Sequence, residues 1–208
     1  TMKSISFKLL LILPLLLLTV PSSGATTPVL DVDGSPVTAG TAYLIIPVKR
    51  GNGWPLSLGA KNTSFYCPLY IAQQSEDVST GLPTLFYPVN STATTVTLST
   101  DMNVEFNAVN VCPQSTVWKL GGVEEESRRY VQSGGVKGNP GIKTLSNWFK
   151  IEKDSNSKYY KLVFCPTVCN YCKVVCGDLG FVGSDEDDKR ILALGPDIKP
   201  LLVTFKLA

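Results

Sequence analysis

Tyr160-Lys161-Leu162-Val163-Phe164-Cys165-Pro166-Thr167-Val168-Cys169-Asn170-Tyr171-Cys172-Lys173-Val174-Val175-Cys176 carries two patterns that decide the fold. The first is Tyr160 to Phe164, a short run rich in aromatic and β-branched residues and stopped by a proline, which reads as a strand. The second is the spacing C-x3-C-x2-C-x3-C, which is symmetric: Cys165 and Cys176 share the midpoint 170.5 with Cys169 and Cys172. A hairpin folded about that midpoint places Cys165 opposite Cys176 and Cys169 opposite Cys172. The inner pair is spaced as the ends of a β-turn, whose Cα atoms lie within about 7 Å, close to the range a disulfide bridges. Two nested bridges follow, which leaves Cys67 to pair with Cys112. Six cysteines formally allow 15 connectivities, and the geometry prefers this one.

Similar short runs recur on both sides. They include Tyr43-Leu44-Ile45-Ile46, Val96-Thr97-Leu98, Val104-Glu105-Phe106, Trp118-Lys119-Leu120, Ile191-Leu192-Ala193-Leu194 and Leu201-Leu202-Val203-Thr204-Phe205. Gly, Pro, Asn and Asp clusters separate them, and no apolar period near 3.6 is sustained over a helix length. The chain is predicted to be all-β. Roughly a dozen strands with no Pro/Ser linker favour one barrel or sandwich. Division of the chain after residue 25 by three gives about 61 residues, the size of a trefoil unit, but the internal repeat is faint. Tyr43-Leu44-Ile45, Trp118-Lys119-Leu120 and Trp148-Phe149-Lys150-Ile151 are only loosely equivalent, so periodicity leaves the trefoil one option among β barrels.

Residues 1–25 have the order of a secretory signal peptide: Lys3 and Lys8, an apolar run from Leu9 to Leu18 broken by Pro14, then small residues to Ala25. The run is too short to span a bilayer. The expectation is a signal peptide over 1–25, one domain over 26–208, and a secreted protein, extracellular or vacuolar, with no membrane attachment once the leader is removed. The leader holds two bases and no acid, so 19 basic against 17 acidic side chains becomes 17 against 17. A neutral chain lacks the footprint of a nucleic-acid binder.

The chain contains no histidine. That removes Ser-His and Cys-His nucleophile pairs, HExxH zinc sites and His-ligated haem. No nucleophile–base pair is visible, so the chain is not expected to be an enzyme, nor to need a cofactor or metal. In an oxidising compartment six cysteines read as three disulfides. The competing readings are weaker. Cys169-Asn170-Tyr171-Cys172 lacks the βαβ setting of a redox motif, and the four clustered cysteines lack the long spacer of a zinc site. Ser184-Asp185-Glu186-Asp187-Asp188-Lys189-Arg190 reads as a solvated turn. Asn62-Thr63-Ser64 and Asn90-Ser91-Thr92 are glycosylation sequons.

Several motifs taken together resemble a known family. Val29-Leu30-Asp31-Val32-Asp33-Gly34-Ser35-Pro36-Val37 followed by Tyr43-Leu44-Ile45, then Cys67-Pro68-Leu69, Trp148-Phe149-Lys150-Ile151-Glu152 and Tyr160 to Pro166, are similar to plant Kunitz-type (soybean trypsin inhibitor) proteins. Thr116-Val117-Trp118, Gly134 to Gly141 and the run Cys165 to Cys176 resemble the miraculin-like branch. The resemblance implies a β-trefoil of twelve strands and the pairing 67–112, 165–176 and 169–172, in agreement with the midpoint construction. It also implies a monomer that inhibits a serine protease through a rigid, substrate-like loop, whose affinity comes from preorganisation.

Aligning Cys67 and Gly81 with the family's cysteine and glycine puts the specificity residue at Ser91, flanked by Asn90 and Thr92. Three features depart from a trypsin inhibitor. Phe86 to Thr95 contains no Lys or Arg, so the acid at the base of a trypsin pocket would lack a counter-charge. The family's loop-bracing asparagine is replaced by Ala39. A glycan on Asn90 would obstruct a protease cleft. Ser91 suits an elastase- or subtilisin-type pocket, and a different loop could serve a cysteine protease. Lys49 to Trp54 and Gly135 to Gly138 are alternative basic loops, each otherwise a solvated turn. The alternative function is a non-inhibitory seed storage or defence protein on the same fold. A sugar-binding trefoil lacks support, because no Gln-x-Trp motif occurs at Trp54, Trp118 or Trp148.

Overall fold

Alternation decides which side chains turn inward. In β1 (Tyr43–Pro47) Tyr43, Ile45 and Pro47 are buried while Leu44 and Ile46 are half-exposed, and β4 (Thr84–Pro88) buries Thr84, Phe86 and Pro88 in the same way. Successive side chains of a strand point to opposite faces, so this pattern lines one face of a sheet with apolar groups. The computed structural model describes residues 26–48, 54–61, 66–74, 81–109, 111–183 and 189–208. The leader, the sequon at Asn62, Lys49 to Gly53 and the acidic run Ser184 to Asp188 lie outside the described residues.

Three units of similar plan follow one another. The first is β1, the hairpin β2 (Ser57–Gly59) and β3 (Tyr70–Gln74), then β4. The second is β5 (Met102–Phe106), the hairpin β6 (Lys119–Leu120) and β7 (Arg129–Gln132), then β8 (Lys150–Lys153). The third is β9 (Tyr160–Phe164), β10 (Gly177–Asp178), β11 (Gly180–Val182), β12 (Lys189–Leu194) and β13 (Leu202–Leu207). Leu179 alone separates β10 from β11. The pair is one segment that leaves β9 for β12, so thirteen described strand elements make twelve segments.

The outer strands of the three units close a barrel. β13 pairs β1, β1 pairs β4, β4 pairs β5, β8 pairs β9 and β9 pairs β13. A single antiparallel bridge, Met102 with Phe149, joins β5 to the start of β8 and completes the ring. The hairpins cap one end in a triangle: β3 pairs β7, β7 pairs β12 and β12 pairs β3. Six barrel strands and a triangle of hairpins make a β-trefoil. Closure leaves the barrel no free edge.

The register corrects the repeat read from sequence. Tyr43, Met102 and Tyr160 open the three units, whereas Trp118 precedes β6 and Trp148 precedes β8. Trp118 and Trp148 are fully buried and stand at non-equivalent places. An aromatic residue before an apolar alternation marks any core-facing strand here, so it cannot identify which strand of a unit it begins. Two further expectations shift. Val96 to Leu98 forms only isolated pairings, in which Thr95 and Thr97 bridge the N-terminal arm at Thr38 and Pro28. Lys189 and Arg190 open β12 opposite Gln74 and Gln73 and are not a turn, and the Arg190 guanidinium lies 5.1 Å from the centre of the Phe181 ring.

The core is aromatic. Trp118 touches Phe106 and Phe149, Phe149 continues to Phe164, and Phe205 packs between Phe86 and Tyr160. Edge-to-face contacts add to the apolar burial that drives the collapse.

All six cysteines are paired as 67–112, 165–176 and 169–172. In the third unit Gly177 faces Phe164 and Asp178 faces Val163. Each pair sums to the same midpoint as the cysteines, so the hairpin register and the nested bridges are one geometry. The Cys169–Cys172 bridge spans a sequence separation of 3. A loop that small restricts the unfolded chain little. Replacing both cysteines with serine is expected to lower stability by about 2 kcal/mol, read as a shifted urea midpoint at unchanged slope.

Candidate functional site

Between β4 and β5 the chain leaves the barrel and returns. Pro88 is the last buried residue, and Val89, Asn90, Ser91 and Thr92 are exposed. The base of the excursion is closed by the Val89 N–H, which donates to the Asp101 carbonyl at 2.8 Å. At its tip the Ala93 N–H donates to the Asn90 carbonyl at 3.0 Å, and the Asn90 Oδ1 accepts from the Thr92 N–H at 3.1 Å and from the Thr92 Oγ1 at 2.8 Å. Asparagine side chains commonly cap a turn this way, holding the peptide two residues on. The structure thus brings Asn90, Ser91 and Thr92 together on one exposed turn.

The N-terminal arm flanks this turn. Residues 27–39 run beside 94–98, with hydrogen bonds from the Val29 N–H to the Val96 carbonyl (2.9 Å), from the Val96 N–H to the Val37 carbonyl (2.9 Å) and from the Ala39 N–H to the Thr94 carbonyl (2.9 Å). Ala39 is therefore held next to the loop, but only its backbone holds anything. Beside it lies a cleft of about 460 Å³, lined among others by Ala39, Tyr87, Ser91, Lys137, Asn139 and Trp148. Ala39 and the loop residues Asn90, Ser91 and Ala93 border the same open space.

The far wall of the cleft is Lys137 to Pro140, a stretch that residue types alone do not tie to this loop. Two buried asparagines pin it. Asn103 on β5 accepts from the Gly138 N–H at 2.7 Å and donates to the Asn147 carbonyl at 2.9 Å, while Asn147 donates to the Val136 carbonyl at 3.1 Å. Gly138 (φ 76°) and Asn139 (φ 53°) turn the wall through the left-handed region that glycine and asparagine tolerate best. The glycine- and asparagine-rich composition of 134–141 signals a turn; its location opposite the β4–β5 loop is set by Asn103.

Lys137, the basic residue of that wall, is not a freely solvated turn residue. Its Nζ lies 2.8 Å from Glu105 Oε2 and 4.0 Å from the centre of the Tyr87 ring. Burial works against the charge of its amine, but the Glu105 carboxylate and the Tyr87 side chain outweigh it and hold the amine above the usual lysine range. The ammonium is therefore charged and tethered at neutral pH, and it gives up its charge as pH rises through that elevated value. A lysine committed to its own protein is poorly placed to enter another protein's pocket. Of the second basic loop, only Trp54 lies among the described residues.

Nothing in this arrangement is a nucleophile with a base, and among the described residues no group of three or more His, Cys, Asp or Glu could hold a metal. What the site presents is an exposed peptide turn on a rigid barrel. The sequence model of Kunitz-legume proteins, described as "Trypsin and protease inhibitor", matches residues 29–207. The chain belongs to the Kunitz-legume family of protease inhibitors. Miraculin of Synsepalum dulcificum is 44% identical over 189 residues, covering 88% of this chain and 84% of that one. Kunitz trypsin inhibitor 5 of Arabidopsis thaliana is 42% identical over 191 residues, covering 91% and 90%. Among solved structures, a Kunitz-type cysteine protease inhibitor from potato superposes with a TM-score of 0.71 at 30% identity, covering 88% of this chain and 98% of the other. The Arabidopsis and potato relatives are named as protease inhibitors and miraculin is not; this Kunitz chain is an inhibitor-family protein and not an enzyme. The trefoil is the fold of its solved relatives.

Proposed function

We propose that this Kunitz chain meets a serine protease through the β4–β5 turn, with Ser91 at the position that enters the protease's specificity pocket. The observation that carries the reading is the turn itself: Val89 to Thr92 stand clear of the barrel, closed at the base by Val89–Asp101 and shaped at the tip by Asn90. A protease cleft binds extended or turned backbone with one projecting side chain, and a preshaped loop loses little entropy on entering it. Ser91 is small and uncharged, so the matching pocket is shallow and neutral, as in elastase- or subtilisin-type enzymes. A trypsin pocket would leave its buried acid unpaired. We further read the protein as a secreted monomer, the disulfides being consistent with an oxidising compartment.

The test is an inhibition panel with the non-glycosylated protein against trypsin, chymotrypsin, elastase, subtilisin and papain. The expected result is inhibition of subtilisin or elastase and no inhibition of trypsin below about 1 μM, a binding free energy weaker than about 8 kcal/mol. Submicromolar trypsin inhibition that disappears in a Ser91→Ala variant would sink the assignment of specificity. A second reading, a storage or defence protein that inhibits nothing, is favoured by one observation: Ala39 leaves the inner side of the turn unbraced beside an open cleft. Inhibition of no enzyme on the panel would select it.

A further inference from the structure

We propose that Asn90 is an N-glycosylated residue and that its glycan decides whether the β4–β5 turn is open to a protease. Three observations converge on it. The carboxamide of Asn90 is exposed at the tip of the turn, and its Oδ1 is taken up by Thr92, by the peptide N–H at 3.1 Å and by the hydroxyl at 2.8 Å. Among the described residues its Nδ2 donates to nothing, so a substituent there breaks no contact of the fold. The sequon Asn90-Ser91-Thr92 supplies the acceptor and the hydroxyl residue that glycosylation requires, and here hydroxyl and carboxamide are already joined by a hydrogen bond.

The step is a group transfer from a lipid-diphosphate-linked oligosaccharide. The Asn90 Nδ2–sugar C1 bond forms, the C1–O bond to the diphosphate breaks, the diphosphate departs with that electron pair, and Nδ2 gives up one proton. The consequence follows from position. Asn90 and Ser91 both line the 460 Å³ cleft whose opposite wall is Lys137 to Pro140. A branched oligosaccharide anchored there is bulky and solvated, and it lies between an approaching protease and the residue beside its anchor. The glycosylated form is closed and the bare form is open, so one chain supplies both the inhibitory and the non-inhibitory protein according to its glycan. The masking half of this inference rests on the β4–β5 turn being the protease-facing loop. The occupancy half does not.

The test expresses the full chain through the secretory pathway of plant cells and compares wild type with Asn90→Gln, Thr92→Ala, Thr92→Ser and Asn62→Gln. Intact mass reports occupancy. Thr92→Ser should keep a glycan that Asn90→Gln and Thr92→Ala both lose, whatever Asn62→Gln does. Equal masses for wild type and Asn90→Gln, after allowing for the side-chain change, overturn occupancy. Masking is read as subtilisin inhibition and, independently, as the rate at which subtilisin cuts the backbone between residues 89 and 93. Because Asn90 and Thr92 also shape the turn, masking is compared on the wild-type sequence, glycosylated against made in a host that does not glycosylate, and the bare form should inhibit at least tenfold more tightly. If neither form inhibits, the bare form should be cut there at least tenfold faster. An occupied Asn90 with equal inhibition and equal cutting overturns the masking, and leaves the reading of the loop to the inhibition panel.

Discussion

Ser91→Arg, made in protein lacking the Asn90 glycan, is expected to tighten trypsin binding by two to three orders of magnitude. A trypsin pocket ends in a buried carboxylate. Leaving such a group without its charged partner costs about 2–5 kcal/mol at an interface, and supplying the partner recovers a comparable amount. The tip geometry is not disturbed, because Ser91 is exposed and the turn's hydrogen bonds run between Asn90, Thr92 and Ala93. Binding alone does not make an inhibitor, however. The turn must also keep its shape after docking, or the enzyme treats it as substrate. Ala39 sits beside the turn with its N–H bonded to the Thr94 carbonyl, and it lines the cleft. Ala39→Asn places a carboxamide there, and each new hydrogen bond to the loop contributes about 1 kcal/mol. The single variant is expected to be cut slowly after position 91, and the double variant to bind about tenfold tighter and resist cutting. Inhibition constants and mass spectra of the incubated mixtures read both effects. No gain in trypsin affinity from either variant would show that the β4–β5 turn is not the contact surface.

Asp101→Ala is expected to cost about 3–5 kcal/mol of stability, the range found when one member of a buried ion pair is removed. Asp101 is 4% exposed and Lys150 is 9% exposed. The Asp101 Oδ2 accepts from the Thr167 N–H at 2.9 Å and from the Thr167 Oγ1 at 2.6 Å, and Lys150 Nζ donates to the same hydroxyl at 3.2 Å. The Oδ1 lies 3.8 Å from the ammonium and accepts no hydrogen bond, so the charges attract without a direct bond. Removing the carboxylate strands a buried cation and a peptide N–H together. The cluster ties β5 to β8 and to the segment after Cys165, and the Asp101 carbonyl also closes the base of the β4–β5 turn. Asp101→Asn keeps an acceptor for Thr167 and should lose less. Replacing both partners, as Asp101→Leu with Lys150→Met, should fall much nearer wild type, because no uncompensated charge remains. Urea unfolding with disulfides intact measures all three. A loss below about 1 kcal/mol for Asp101→Ala would mean that water reaches the pair and screens it.

Residues close together in sequence told most of what was legible. The symmetric cysteines located the β9–β10 hairpin because a hairpin's register is a local sum of residue numbers. The alternation in Tyr43–Pro47 and Thr84–Pro88 located strands because side chains on a pleated chain face opposite sides by turns. The absent cation at Phe86 to Thr95 could be read without any coordinates. The misleading cases were those in which one local pattern serves several places. Trp118 and Trp148 looked like repeat markers, and Lys189 and Arg190 looked like the end of a charged turn, whereas long-range pairing with Gln74 and Gln73 makes them strand.

The β4–β5 turn and its surroundings divide along the same line. By itself, the sequence determined an all-β chain and favoured the bridges 165–176 and 169–172; Ser91 and Ala39 acquired their expected places at the loop only through the resemblance to the Kunitz family. Only the tertiary structure decided that the barrel closes through Met102 and Phe149, that Asn103 pins Gly138 opposite the loop, and that Lys137 is held by Glu105 and Tyr87. These contacts join residues 32 to 50 positions apart. No local propensity encodes such a pairing. It arises when chain segments that each need to bury one face are forced to share a single core.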